Sequence, residues 1–282
     1  MGYRTFFGFQ REPFSPEIRI EELYPLPGMQ AAAERFHFAL KLGAVCLVTG
    51  DVGAGKSTAL RYAASRLHPS QYRVVSVVAT TGSMTDILRQ LCSGFDVEAN
   101  SCSLAKLTRT FRAAVLEISQ RKQTPVLIID EASLMRLEIF AQLHTLSQFD
   151  LDSQPRLPLI LAGQNNLVDK LMFHASRPLA SRIIGRSHLE GLKLKDMTAY
   201  LNHHLQIAGV KERLFTDEAT LAIHQGSGGL LRRANLNAVA LTLVKVSQMV
   251  VDLSELAELD INPLWVNAQG VVALDARVRI EA

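Results

Sequence analysis

Long apolar runs are missing from this 282-residue chain: the richest, around 45–48 and 126–129, are strand-sized, whereas a helix crossing a bilayer needs about 20 apolar residues. A membrane span is not expected. Cysteine is scarce too. The three thiols, Cys46, Cys92 and Cys102, show no CxxC spacing and no companion histidine pattern, which argues against a zinc site or disulfide framework and predicts buried free thiols. The eight histidines, the His203-His204 pair included, likewise lack ligand spacing, so none is assigned a metal. Charge of one sign is also lacking: a formal net charge of +3 permits contact with a phosphate backbone without demanding it. No internal repeat or low-complexity tract interrupts the chain. The start, MGYRTFFGFQREPF, has an early Arg but no following apolar run, and Gly2 lacks the Ser or Thr at position 6 that myristoylation uses. A cytoplasmic protein is the expectation.

What is present is a globular composition, 48% hydrophobic and 20% charged, with enough chain for one large and one small domain. Short apolar runs alternate with longer amphipathic ones, an α/β signature. Strands are expected at 44–49, 72–78, 125–129, 157–162 and 186–189, and helices at 30–42, from Lys56, and at 84–92, 104–119 and 134–147. Five parallel strands with helices on both faces assemble most simply from that order. After Glu190 the pattern is helical only, at 195–208, 216–225 and 230–246, with Asp196 and Thr216-Asp217-Glu218 as helix starts and a glycine-rich loop at 226–229.

The chemistry begins at Gly50-Asp51-Val52-Gly53-Ala54-Gly55-Lys56-Ser57-Thr58, which follows the apolar strand AVCLVT and opens a helix. This is the context a P-loop needs. Its glycines let backbone N–H groups converge on the β-phosphate of ATP, Lys56 reaches the β- and γ-phosphates, and Ser57 ligates Mg2+. A second apolar strand, VLII, ends in Asp130-Glu131. A strand terminus beside the loop is where a magnesium-coordinating acid belongs, and Asp130 is the candidate. Glu131 can take a proton from a water attacking the γ-phosphate, which favours hydrolysis over transfer to a substrate hydroxyl. The competing reading of both acids is helix capping.

The order GDVGAGKST, VLIIDEASLM, LILAGQNNL and GGLLRRANL, with FFGFQREPFSP and LFTDEAT, resembles the AAA+ ATPases related to the secretion protein GspA/ExeA. The likeness runs from Tyr3 to Val246 and is nearest to short, membrane-free members encoded beside transposases. It implies a γ-phosphate sensor at Gln164, with Asn165 and Asn166 as alternatives, and an arginine finger at Arg182 reaching a neighbouring subunit's ATP, with Arg177 and Arg186 as rivals. Arg232 falls at the second sensor, although Leu231 stands where the family usually has Pro. Phe6, Phe7, Phe9 and Phe14 are expected to wall the adenine pocket or to be simple core. The implied organisation is an N-terminal linker contributing to the nucleotide pocket (1–28), an AAA+ domain (29–191), a helical lid (192–249) and a β-rich tail (250–282).

That tail departs from the family. ELDINPLWVNAQGVVALDARVRI resembles the carboxyl end of the ATP-grasp domain of ADP-forming acyl-CoA synthetases, where the positions of Asn262 and Asp275 help bind magnesium. Alternation predicts two short strands, at 270–274 and 278–280. Too little of that fold is present to make its cleft, so the tail reads as a fusion remnant without enzymatic role.

The resemblance implies an ATP-switched homo-oligomer that assembles on double-stranded DNA and assists a transposase. A secretion-assembly ATPase is the first alternative; its better-known members carry a membrane segment and a peptidoglycan-binding region, and neither is seen in this sequence. A nucleotide-dependent adaptor with little turnover is the second, and a small-molecule kinase is more distant.

Overall fold

The computed structural model describes residues 7–15, 17–150 and 155–231, and beyond them 246, 249, 252–253, 255–261, 264–266, 271–273 and 276–280. The chain divides into two compact units, Pro25–Glu190 and Met1–Tyr24 with Gly191–Ala282.

The larger unit is built on five parallel strands: β1 (Val45–Gly50), β2 (Tyr72–Val78), β3 (Thr124–Asp130), β4 (Leu159–Gly163) and β5 (Ile183–Leu189), in the spatial order β2-β3-β4-β1-β5. All six positions of β1 are buried, as expected of a central parallel strand covered on both faces. Helix α1 (Pro27–Lys41), with Pro27 in its first turn, packs on α2 (Lys56–Ser65), β1 and β5. On the far side of the sheet order, α3 (Met84–Gly94) packs on β2 and on α4 (Leu104–Gln120). A capping box of Ser83 and Asp86 opens α3. Helix α5 (Leu137–Leu146) buries Phe140 and Leu143 in a core shared with Phe111 of α4 and with Leu127, Ile129 and Leu161 of the sheet.

Two short helices between β4 and β5, α6 (Asn166–Met172) and α7 (Arg177–Ala180), were not expected from the sequence. Neither is long enough to display a 3.6-residue period. Pairing joins Thr49 to Gly163 and Ile129 to Leu161, so the carboxyl ends of β1, β3 and β4 converge. Cys46 and Cys92 are buried free thiols, with Cys46 pushed up to about 12 by its burial, but Cys102 is exposed. It lies in the connection before α4, where no sheet covers it.

In the smaller unit, α8 (Leu194–Ile207) and α9 (Asp217–Ser227) match the expected helices. The Thr216 hydroxyl caps α9 by accepting from Ala219 N–H, and Gly228 closes it with a φ of +61°. The expected helix at 230–246 lies outside the described residues but for its ends. Among its described residues the tail holds four strands rather than two: β6 (Leu256–Ile261) pairs antiparallel with β9 (Ala276–Ile280), and β7 (Leu264–Val266) with β8 (Val271–Ala273). Alternation missed β6 and β7 because Asn262-Pro263 cuts the run into short pieces that gain strand character from partners downstream.

The N-terminal segment belongs to this smaller unit. Gln10 N–H donates to the Ala208 carbonyl at 2.8 Å, and Arg11 holds the Ile207 carbonyl at 2.8 Å while forking onto Glu22. Phe14 stacks on Tyr200 and His204, while Phe7 and Phe9 stack on each other. Phe6 lies outside the described residues.

His204 is 2% exposed and its Nδ1 sits 3.0 Å from the Pro13 carbonyl, which can only accept, so the proton is on Nδ1. Nε2 is buried with no partner among the described residues. Burial pushes the imidazole down to about 4, helped by His203 and opposed by the Pro13 carbonyl. Since the folded value lies below the ordinary 6.5, the neutral ring's contribution to stability is complete above pH 6.5 and drains away as pH falls towards 4. The melting temperature is accordingly expected to fall over that window, and less so in a His204→Gln protein; parallel profiles would refute the assignment.

Candidate active site

Strand β1 runs straight into the glycine-rich loop, and the loop into α2, so Gly50 to Thr58 stand at the convergence of the strand ends. Gly50 has no room for a side chain: an added Cβ would lie 2.5 Å from the Leu189 carbonyl. Gly55 is the residue before α2, with a φ of +84° that an L side chain rarely adopts. Open space surrounds its Cβ direction, and the first N–H groups of α2 follow directly. Lys56 is 6% exposed; its ammonium donates to the carbonyls of Gly50 at 2.9 Å and Asp51 at 3.0 Å. The loop is thereby closed by its own cation.

Ser57 and Asp130, far apart in sequence, meet here: Ser57 Oγ donates to Asp130 Oδ2 at 2.6 Å. A hydroxyl and one carboxylate oxygen in contact fit Mg2+, which keeps several waters and takes one or two protein ligands beside phosphate oxygens. Among the described residues no cluster of three or more His, Cys, Asp or Glu offers a dedicated metal cage. The other oxygen of Asp130 accepts the Glu131 N–H at 2.8 Å.

Glu131 itself is left-handed, at φ +52° and ψ +31°. A non-glycine residue in that region costs about 1–3 kcal/mol and persists where its surroundings over-determine it. Here it ends β3 and leads into a 3-10 turn, Ala132–Leu134, closed by Leu134 N–H to the Glu131 carbonyl at 2.9 Å. The Glu131 side chain makes no cap hydrogen bond, and the residue is half-buried, directly after the Asp130 that meets Ser57.

The other sequence candidates separate. Gln164 is exposed, and its carbonyl accepts Leu167 N–H at 3.0 Å to start α6. Asn165, one residue on, donates from Nδ2 to Asp51 Oδ1 at 3.0 Å, so it is the residue of the β4 terminus with a hydrogen bond into the loop. Arg182 lies at the amino end of β5, away from the loop: its carbonyl accepts Val45 N–H at the start of β1, and its guanidinium donates to Ser147 Oγ at 2.9 Å. Arg177 and Arg186 are exposed. Arg232, Asn262 and Asp275 lie outside the described residues. Sequence reasoning missed Lys170, whose ammonium bonds the turn that follows Glu131 at the Ser133 and Met135 carbonyls. A lone Lys in LVDKLM carries no motif that marks it.

The AAA domain family matches residues 41–171, the stretch that holds the loop, the β3 acids and α6. General secretion pathway protein A of Aeromonas hydrophila is 31% identical over 239 residues, 83% of this chain. The chain belongs to the GspA/ExeA-like AAA+ ATPase family. It spans 43% of that relative's length. Among solved structures, this GspA/ExeA-like chain is similar in fold to Cdc6p from Pyrobaculum aerophilum (TM-score 0.58, 16% identity, 76% of this chain and 57% of that one). The Aeropyrum pernix ORC2 protein, solved in ADPNP and ADP complexes, is similar at TM-score 0.59 and 15% identity, over 87% of this chain and 68% of that one. An ATP-grasp domain also matches, weakly, at residues 195–280, which takes in α8 and α9 as well as the tail strands. No helix among the described residues of the GspA/ExeA-like chain is long and apolar enough to cross a membrane.

Proposed function

We propose that the chain binds ATP with Mg2+ on the Gly50–Thr58 loop and hydrolyses it, Glu131 acting as the general base. The observation that carries this reading is the 2.6 Å contact between Ser57 and Asp130, with Glu131 held left-handed at the next position. Lys56 would exchange its two loop carbonyls for the β- and γ-phosphates, and Ser57 and Asp130 would hold the metal. A magnesium ion held by Ser57 and Asp130 would supply neutralisation of the charge on the phosphate oxygens. The Glu131 carboxylate takes a proton from water as the water oxygen bonds to the γ-phosphorus and the bond to the β-phosphate oxygen breaks, releasing ADP and phosphate. Gln164 or Asn165 would orient that water. Arg182 would act on a neighbouring subunit's nucleotide, since within its own chain it stands at the opposite end of β1.

We propose the lid at 192–249, with Arg232 to read the γ-phosphate, and the tail at 250–282. We propose further that ATP drives assembly of a homo-oligomer on duplex DNA, where it assists a transposase. Within the GspA/ExeA-like family, whose motifs GDVGAGKST, LILAGQNNL and GGLLRRANL the chain carries, the resemblance to short members encoded beside transposases supports this role. The identity to General secretion pathway protein A favours a second reading, secretion assembly.

Duplex binding across a salt series, with and without ATP, separates the two. On the DNA reading, ATP raises affinity at every salt concentration, and the logarithm of the binding constant falls linearly with that of the salt as counterions are released. DNA binding indifferent to ATP would remove the transposition role. Phosphate release by the same preparation tests hydrolysis directly.

A further inference from the structure

Glu131 sits in a costly backbone conformation, of the kind that persists where the surroundings over-determine it. Its N–H bond to Asp130 fixes one side. The other side is the turn Ala132–Leu134, and Lys170, on α6, hydrogen-bonds to this segment from elsewhere in the chain. Its ammonium donates to the Ser133 carbonyl at 2.6 Å, within the turn, and to the Met135 carbonyl at 2.8 Å, just after it. Lys170 is half-buried, and among the described residues it forms no salt bridge that would compete for the ammonium. Gly163, at the end of β4, backs onto the same place: an added Cβ would lie 2.8 Å from Ser133 N. At the front of the same segment, Asn165 bonds Asp51 in the phosphate loop. The stretch from Gly163 to Lys170 therefore touches both halves of the nucleotide site.

We infer that Lys170 is a positioning residue for Glu131: by holding the carbonyls of Ser133 and Met135 it keeps Glu131, at the head of the turn, left-handed and its carboxylate aimed at the attacking water. The inference rests on the proposed hydrolysis. It also makes α6 a coupler, because a shift of this helix would disturb the base and the Asn165–Asp51 contact together.

The test is steady-state phosphate release by the full chain, compared among wild type, Lys170→Met, Lys170→Arg, Glu131→Gln and the double variant Lys170→Met/Glu131→Gln. Lys170→Met is expected to lower kcat by about 10–100-fold, the scale on which small misplacements of a catalytic group act. KM and the affinity for a fluorescent ATP analogue should stay within about threefold, because the loop and Lys56 are untouched. Lys170→Arg, which can still donate to both carbonyls, should recover much of the loss. The double variant should be no slower than Glu131→Gln alone, since a misaimed base that is already removed costs nothing further. A purely structural role would instead move KM and kcat together and add to the Glu131 defect. Wild-type turnover with kcat unchanged in Lys170→Met overturns this inference alone, whereas a wild type that releases no phosphate overturns the hydrolysis reading and this one with it. Should Lys170→Met fail to fold, Lys170→Gln, whose shorter, uncharged amide holds the two carbonyls less firmly, must show an intermediate kcat at unchanged analogue affinity.

Discussion

Glu131→Gln is expected to lower kcat for ATP hydrolysis by about 10²–10⁴-fold, the range removed with a general base, while ATP affinity stays within a few-fold. The amide is nearly isosteric and keeps the backbone N–H bond to Asp130, so the left-handed turn and the Ser57–Asp130 contact survive. What it cannot do is accept a proton from water. Single-turnover measurements with ATP in the presence of Mg2+ isolate that step from product release. If ATP drives assembly, this variant should also hold the assembled state for as long as its nucleotide is uncleaved, a lifetime visible by light scattering. Turnover at the wild-type rate would withdraw Glu131 as the base, and the left-handed backbone would then need another explanation.

The parts of this site that were legible in the sequence are those made by consecutive residues. GDVGAGKS reads as a loop between strand and helix because glycine and lysine perform their roles within a single turn, and VLII followed by Asp130-Glu131 reads as a strand end because burial and charge switch at one bond. The parallel sheet follows from the alternation of elements, and β1, β2 and β3 begin and end within about a residue of expectation. Illegible were the contacts made at a distance. Nothing in LVDKLM announces that Lys170 meets the carbonyls of Ser133 and Met135, since a carbonyl has no sequence signature and α6 is too short to show a period. The choice among Gln164, Asn165 and Asn166 was equally closed to sequence. Their amides differ only in where the end of β4 points them, and it is Asn165 that reaches Asp51. Phe14 shows the same limit from the other direction: its aromatic character was plain, but its place against Tyr200 and His204 depends on a helix almost 200 residues away.

Lys56→Met should affect binding and chemistry together, which distinguishes it from both Glu131→Gln and Lys170→Met. In the wild type Lys56 is 6% exposed and its ammonium is shared between two loop carbonyls, so the loop is already arranged around a cation before any phosphate replaces those acceptors. Methionine fills much of the same volume but offers no donor and leaves the carbonyls of Gly50 and Asp51 without that partner. Loss of a charge-assisted hydrogen bond in the bound state costs about 1.5–3 kcal/mol, or roughly 10–100-fold in ATP affinity. Because charge builds on the β–γ bridge as the bond breaks, kcat should fall by about 10²–10³-fold in addition, the usual effect of removing one aimed donor. Calorimetric titration with a non-hydrolysable ATP analogue and phosphate release at saturating ATP measure the two separately. Wild-type affinity in Lys56→Met would mean that the backbone N–H groups of the loop and the start of α2 hold the nucleotide unaided. Lys56→Arg sharpens the comparison: it keeps the charge, but its planar fork is larger than a point ammonium in a site this enclosed. If compactness matters as well as charge, the arginine protein should regain part of the affinity and little of the rate.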